Sequence, residues 1–167
     1  MGISKDNSIL PSLLQVAQPS TAAQFFHLLR RQMLRPWRKP LVIASPKLML
    51  RMAEAASPRS EFGPNTSFRP VLPDTKVKPS EVRRVLLASG KHCVALEAKR
   101  AELGPSAAQI AIVRLEELSP FPTSQLLSEL NRFSPHAEIV WSQEEPRNMG
   151  AWSYIQPRCR QLLGRKV

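Results

Sequence analysis

Between Asp6 and Glu54 the sequence has no acidic residue at all. Arg30, Arg31, Arg35, Arg38, Lys39, Lys47 and Arg51 fall in that interval, and Arg158, Arg160, Arg165 and Lys166 close the chain, so the net charge of +11 is concentrated. A surface of one sign attracts nucleic acid, acidic lipid or an acidic protein face. It equally fits a piece whose acidic counterpart lies on another part of a larger protein. Cysteine is almost missing: Cys93 and Cys159 stand far apart, without metal-ligand spacing. That argues against a zinc site and reads as two reduced, intracellular thiols. Glycine is scarce, six against sixteen prolines, and neither G-x-G-x-x-G nor a P-loop is present. No apolar run approaches the length of a membrane-spanning helix. The patch Ile9–Leu14 is short, is broken by Pro11 and lacks the strongly basic flank of a secretory signal. Residues 20–39 share the acid-poor, arginine-bearing composition of a mitochondrial presequence. Those arginines, however, begin inside a well-patterned helix, and Met1 to Gln18 hold only Lys5 as a base, so a helix of the folded body is the reading.

The chain is long enough for one respectable core, or for a small domain plus part of another. Residues 1–19 read as a tail. Thr21 and Gln24 fit a capping box. Phe25, Leu28, Leu29 and Met33 then recur at helical spacing until Pro36 stops the helix. Leu41-Val42-Ile43-Ala44 suits a strand buried on both faces, and residues 47–56 fit a short helix. From Ser57 to Pro79 the chain is rich in Pro, Ser, Asn and Gly and reads as a linker. Beyond it the rhythm alternates. Strands are expected at 85–88, 110–113 and 137–141, with helices at 91–103 and 123–133 and a shorter one from Gly150. Pro157 falls where that last helix would end or kink. Strand–helix repeats with short connections predict a short parallel sheet flanked by helices. Three strands leave such a sheet with an unfinished edge.

Chemistry is thinly represented. There is no G-x-S-x-G nucleophile elbow, and His27, His92 and His136 have no ligand or carboxylate at a recognised spacing. They read as structural or surface histidines, with His27 the most interesting because it lies in a basic helix beside aromatic residues. Two carboxylate pairs follow strands, Glu116-Glu117 after the second and Glu144-Glu145 after the third. The carboxyl ends of parallel strands are where α/β folds gather functional groups. Consecutive residues in extended chain point to opposite sides, however, so a pair need not form one site. Loop carboxylates answering arginines of an adjoining domain is the simpler reading.

The string Trp141-Ser142-Gln143-Glu144-Glu145-Pro146-Arg147-Asn148-Met149-Gly150-Ala151-Trp152 resembles the W-x-Q-E-E-P-x-N-x-G-x-W segment near the end of the thiamine-diphosphate-dependent first component of 2-oxoglutarate and 2-oxoadipate dehydrogenases. Four further blocks agree in the same order. Ser20-Thr21 with Phe26-His27-Leu28-Leu29-Arg30-Arg31-Gln32 is one. Arg38-Lys39-Pro40-Leu41 with Ser45-Pro46-Lys47 and Leu50-Arg51 is another. Ser89-Gly90-Lys91 and the run Val113 to Pro122 complete the series. Met149, Trp152 and the Glu-Glu-Leu before Ser119 lean toward the 2-oxoadipate relative.

The resemblance implies an α/β, transketolase-like carboxy-terminal domain preceded by a helix–strand remnant of a second α/β domain. The expected organisation is an unmatched tail at 1–19, the end of a pyrimidine-binding domain at 20–56, a linker at 57–80 and an incomplete carboxy-terminal domain at 81–167. It implies no catalytic, cofactor or metal ligand on this chain: thiamine diphosphate and magnesium belong to other parts of the parent. His27, Arg30, Arg31, Lys47, Gln143, Glu144, Glu145 and Asn148 are family-motif residues for domain or subunit contacts. The implied partners are a second subunit in a homodimer and a lipoyl-bearing acyltransferase. The implied location is the mitochondrial matrix, and the implied parent reaction is oxidative decarboxylation of a 2-oxoacid with acyl transfer to lipoyl groups. Alone, the chain is expected to be inactive. A basic nucleic-acid-binding or regulatory interaction module is the alternative reading, weakened by the absence of any nucleic-acid motif.

Overall fold

The computed structural model describes residues 14–164. In chain order its elements are strand β1 (Gln15–Ala17), helix α1 (Ala22–Leu34), strands β2 (Leu41–Ile43), β3 (Val71–Leu72) and β4 (Arg84–Ala88), helix α2 (His92–Leu103), strands β5 (Ile110–Leu115) and β6 (Glu117–Ser119), helix α3 (Thr123–Leu130), strand β7 (Glu138–Trp141) and helix α4 (Trp152–Leu163). The larger sheet has the order β3-β5-β4-β7. Its β5, β4 and β7 pair in parallel, as the alternating rhythm predicts, while β3 runs antiparallel to β5 at the edge. The smaller sheet has the order β2-β1-β6, with β2 parallel and β6 antiparallel to β1. The architecture is therefore mixed α/β, with two small mixed sheets: the expected parallel strands gain an antiparallel edge, and the expected amino-terminal helix–strand piece carries a sheet of its own.

The main core lies on the larger sheet. Val85, Leu87, Ala111, Val113 and Leu115 are fully buried there against Leu126 of α3 and Ile155 and Cys159 of α4. Burying each Leu or Ile contributes about 1.5–3 kcal/mol. That burial explains why α4 runs through Pro157, which the sequence marked as a stop or kink. The proline lies on the exposed side of the helix, while Ile155 and Cys159 anchor the other side in the core. Gly164, left-handed at φ 63°, ends the helix.

Three expectations are corrected. Part of the tail is structured, because Gln15–Ala17 forms the central strand of the smaller sheet; residues 1–13 lie outside the described ones. The stretch read as a linker packs against both sheets. Its Phe68 packs with Ala17 and Leu28, Val71–Leu72 pairs with β5, and buried Asp74 accepts the Ile112 N–H at 2.8 Å and pairs with Arg100. Residues 47–56 form two 3-10 turns, Lys47–Arg51 and Ala53–Ala55, in place of one helix.

The amino-terminal unit β1-α1-β2 is only half covered. Leu28 is buried as the helical spacing predicts, but Leu29 and Met33 of the same stripe are 44% and 74% exposed. The side of α1 that is buried instead carries Ala23, Gln24 and His27. Strand β2, expected to be buried on both faces, is an edge strand with Val42 46% exposed.

Candidate functional site: the seam and the strand-end loop

The chain passes from one sheet to the other at a single residue, Glu116, which stands between β5 and β6. Its side chain and that of Glu117 diverge, as extended backbone requires, and each meets the amino-terminal unit. Glu116 is fully buried and accepts the Ser20 N–H at 2.8 Å and the Ser20 hydroxyl at 2.5 Å. Glu117 pairs with Arg31 of α1 through two contacts, one at 3.1 Å, and its carboxylate is 5% exposed. The pair is thus two separate fastenings on α1, one at its entry and one at its last turn. Glu117 does meet an arginine, but from strand β6 and not from a loop. Arg31 also stacks over Phe68 at 4.3 Å.

Helix α1 starts where the capping pattern places it. Thr21 Oγ accepts the Gln24 N–H at 3.2 Å, which is half of a capping box. The Gln24 side chain does not return to Thr21; it forms a two-way bridge to the Arg69 backbone, at 2.6 and 3.1 Å. Burial of Gln24 is thereby compensated. His27 is structural, buried with Nε2 donating to the Glu61 carbonyl at 2.8 Å. That bond ties the 3-10 turn Arg59–Phe62 onto α1. Arg30 is exposed and reaches the Thr66 carbonyl at 3.3 Å, and Lys47 is exposed at the start of its turn.

The remaining motif residues build one loop at the carboxyl ends of β4 and β7. Gln143 organises it. Its Oε1 accepts the Trp141 indole N–H at 2.8 Å, and its Nε2 faces the carbonyls of Met149, Glu145 and Pro146 at 2.8, 3.1 and 3.2 Å. One amide therefore ties the strand end to the whole turn. Gly150 has φ +66°, and a Cβ there would stand 3.0 Å from the Glu145 carboxylate and 3.1 Å from Gln143 Nε2. The motif glycine is required twice, by conformation and by space. Glu144 pairs with Lys91 at 3.5 Å, Arg147 lies over the Trp152 ring at 5.8 Å, and Asn148 is exposed on the turn. Between this loop and the amino-terminal unit runs a cleft of about 250 Å³, lined by Gln143, Glu144 and Glu145 on one side and by Gln18 and Pro46 on the other. His92 reaches into the same region, with Nε2 2.8 Å from Ser142 Oγ.

The structure therefore groups Gln143, Glu144, Glu145 and Asn148 in one loop and His27, Arg30 and Arg31 on one helix, and leaves Lys47 apart. Reading the sequence missed Ser20 as the partner of Glu116, and Asp74 and Glu97 as the partners of Arg100 and Arg114. Asp74 sits in a proline-rich stretch that carries no periodicity to mark it. Among the described residues no group of three or more His, Cys, Asp or Glu is placed to hold a metal ion. The donor set does not fit the magnesium–diphosphate group that the resemblance implies for the parent, so no chemical step is assigned to these residues. No helix among them is long and apolar enough to cross a membrane.

A parallel three-strand core with a structured strand-end loop is joined to a half-covered helix–strand unit by the Arg31–Glu117 ion pair and the Glu116–Ser20 contacts, in a mixed α/β arrangement. Residues 56–167 match the family described as 2-oxoglutarate dehydrogenase C-terminal, and the chain belongs to that family. It is 49% identical over 154 residues to the 2-oxoadipate dehydrogenase complex component E1 of Danio rerio, covering 92% of this chain and 17% of the relative. That coverage takes in part of residues 1–19, which were expected not to match. With the Homo sapiens protein of the same name the identity is 46% over 152 residues, covering 91% of this chain and 16% of the relative. The 2-oxoglutarate dehydrogenase E1 component of Cupriavidus necator is 46% identical over 144 residues, covering 86% of this chain and 15% of the relative. The chain thus spans about one sixth of the length of the curated relatives it matches. Nothing in the fold or in these relatives supports the nucleic-acid alternative.

Proposed function

We propose that this chain supplies the subunit-contact region of a 2-oxoacid dehydrogenase decarboxylating component and does not decarboxylate by itself. The observation that carries the reading is the uncovered face of the amino-terminal unit. Phe26, Leu29, Met33 and Leu34 of α1 are 44–74% exposed, and β2, with Val42 46% exposed, has no strand on its outer side among the described residues. Several large apolar side chains exposed on one small unit mark an interaction site. Along the chain no acidic residue falls between Asp6 and Glu54, so α1 and β2 themselves carry only basic charge, which favours a partner with acidic character. The occupant proposed is the rest of an E1 subunit, in which residues 20–56 end a pyrimidine-binding domain, 57–80 connect, and 81–167 belong to the carboxy-terminal domain.

In that setting the parent oxidatively decarboxylates 2-oxoadipate or 2-oxoglutarate and passes the acyl group to lipoyl groups. It works as a homodimer with a lipoyl-bearing acyltransferase in the mitochondrial matrix, and holds thiamine diphosphate and magnesium on residues outside this chain. The names of the relatives favour 2-oxoadipate over 2-oxoglutarate. The role of this chain's residues is to support: Gln143 and Gly150 shape the strand-end loop, and Glu116, Glu117 and Arg31 hold the two units in register.

The test is reconstitution. A 2-oxoadipate dehydrogenase E1 truncated before its matching segment is co-expressed with this chain and assayed for 2-oxoadipate-dependent reduction of an artificial electron acceptor. Recovery of activity that neither part shows alone is the expected result. Failure of the two parts to associate, or turnover by this chain alone, would contradict the proposal.

A further inference from the structure

Glu116 stands at the crossing between the two sheets and is completely buried. None of the described ion pairs includes it. Its direct partners are the backbone N–H and hydroxyl of Ser20, on the turn between β1 and α1, itself 0% exposed. The groups around it are otherwise committed. From β5, Arg114 donates to Ser20 Oγ at 3.2 Å and pairs with Glu97. From α2, Glu97 also takes Lys76 at 2.7 Å, and the Cys93 thiol feels the Glu116 charge. From α1, the Gln24 amide faces it, while Glu117 beside it is occupied by Arg31.

A carboxylate in a dry seam, met directly only by neutral donors, is costly to ionise. The protonated carboxyl keeps both contacts with Ser20, accepting the N–H on one oxygen and donating its own O–H to Oγ from the other. We propose that Glu116 is a pH-responsive latch between the β1-α1-β2 unit and the larger sheet: the closed seam is favoured while its carboxyl is protonated and opens more readily as it ionises, because the cost of a buried charge outweighs the stronger pull of the ionised form on the Ser20 donors. Two features make it suited to that role. It is the sole residue between β5 and β6, so strain there falls on both sheets at once. Its partner Ser20 immediately precedes the cap residue Thr21, so the contact sets the entry of α1.

Burial pushes the Glu116 carboxyl up to about 7, against the opposing pull of the Ser20 donors, Arg114 and Gln24. The folded chain therefore binds this proton more tightly than the unfolded chain, whose carboxyl titrates near 4.5. The stabilisation is complete below the unfolded value, declines as pH rises through about 7 and is absent above it. This is the reverse of the usual salt-bridged carboxylate.

The test compares urea-unfolding midpoints of the 167-residue chain and of Glu116→Gln, whose amide stays neutral, from pH 5.5 to 8.5. Both proteins share every other ionisable group, so the difference isolates Glu116. The wild-type midpoint is expected to fall relative to the variant up to pH 7.5 and to run parallel to it above 8. Parallel curves throughout would overturn the proposal. If the variant does not fold, carbon-13 titration of the wild-type glutamate carboxyls decides the matter. One carboxyl titrating near 7 is expected, and all of them titrating below 5.5 would overturn the proposal. Ser20→Ala removes a donor that favours the ionised form, so the same resonance should titrate higher in that variant. An unmoved midpoint there would also count against the latch.

Discussion

Arg31, on the last turn of α1, and Glu117, the first residue of β6, form a two-contact ion pair whose carboxylate is 5% and whose guanidinium is 19% exposed. This is the direct electrostatic tie between the amino-terminal unit and the strand that continues out of the main core. Removing one member of a buried pair leaves the other charge uncompensated, at a cost of about 3 kcal/mol. Glu117→Ala and Arg31→Ala should each lower stability by that order, and the double variant should cost much less than the sum. Urea unfolding of the full cycle measures the coupling, and simple additivity would show that the pair contributes nothing.

The strand-end loop gives a second prediction. Gly150→Ala places a Cβ at 3.0 Å from the Glu145 carboxylate in a left-handed backbone, so it should destabilise by about 1–3 kcal/mol. Gln143→Leu strips the Trp141 indole of its acceptor and leaves the Met149 carbonyl without its amide donor. Both variants should alter Trp141 fluorescence and raise proteolysis within 144–150, while cleavage within α2 stays unchanged.

Both cysteines are fully buried. Burial pushes the Cys93 thiol up to about 12, with the Glu116 charge adding to it, and burial pushes Cys159 up to about 11. Since the thiolate is the reactive form, neither should react with a disulfide reagent at pH 8 in the native chain. Two equivalents should react once urea is added. Rapid native reaction at Cys93 would mean that the seam opens readily.

In α4, Pro157 lacks the N–H that would bond one turn back, on the exposed side of a helix held by Ile155 and Cys159. Pro157→Ala should raise stability by about 1–3 kcal/mol, the interior proline penalty less the entropy returned to the unfolded chain. Thermal unfolding tests it, and a lowered midpoint would show that the ring packs productively.

How much of this was legible in the sequence depends on which physical signal each residue carries. Strands β4, β5 and β7 and helix α3 announced themselves because Val85, Leu87, Val113, Leu126 and Ile139 are apolar, periodic and buried together. Thr21 marked the start of α1 by its capping chemistry. Strand β1 was hidden, because Gln15-Val16-Ala17 is three residues long and its pairing depends on partners at 41–43 and 117–119. The buried side of α1 was misread for a related reason. Leu29 and Met33 follow the helical rhythm, but that rhythm shows which residues want burial and not what is present to cover them. Glu116 and Glu117 were visible as a pair, yet their separate destinations, Ser20 and Arg31, exist only in three dimensions.

The central claim is that the exposed face of α1 and β2 receives the remainder of an E1 subunit, and hydrogen exchange tests it most directly. Amides of residues 22–43 are to be followed in the chain alone and after co-expression with a 2-oxoadipate dehydrogenase E1 truncated before its matching segment. The account predicts fast exchange at Leu29–Leu34 and Leu41–Ile43 in the free chain and marked protection in the complex, with little change in β4 and β5. Full protection of 22–43 in the free chain, or exchange unaltered by the partner, would contradict it.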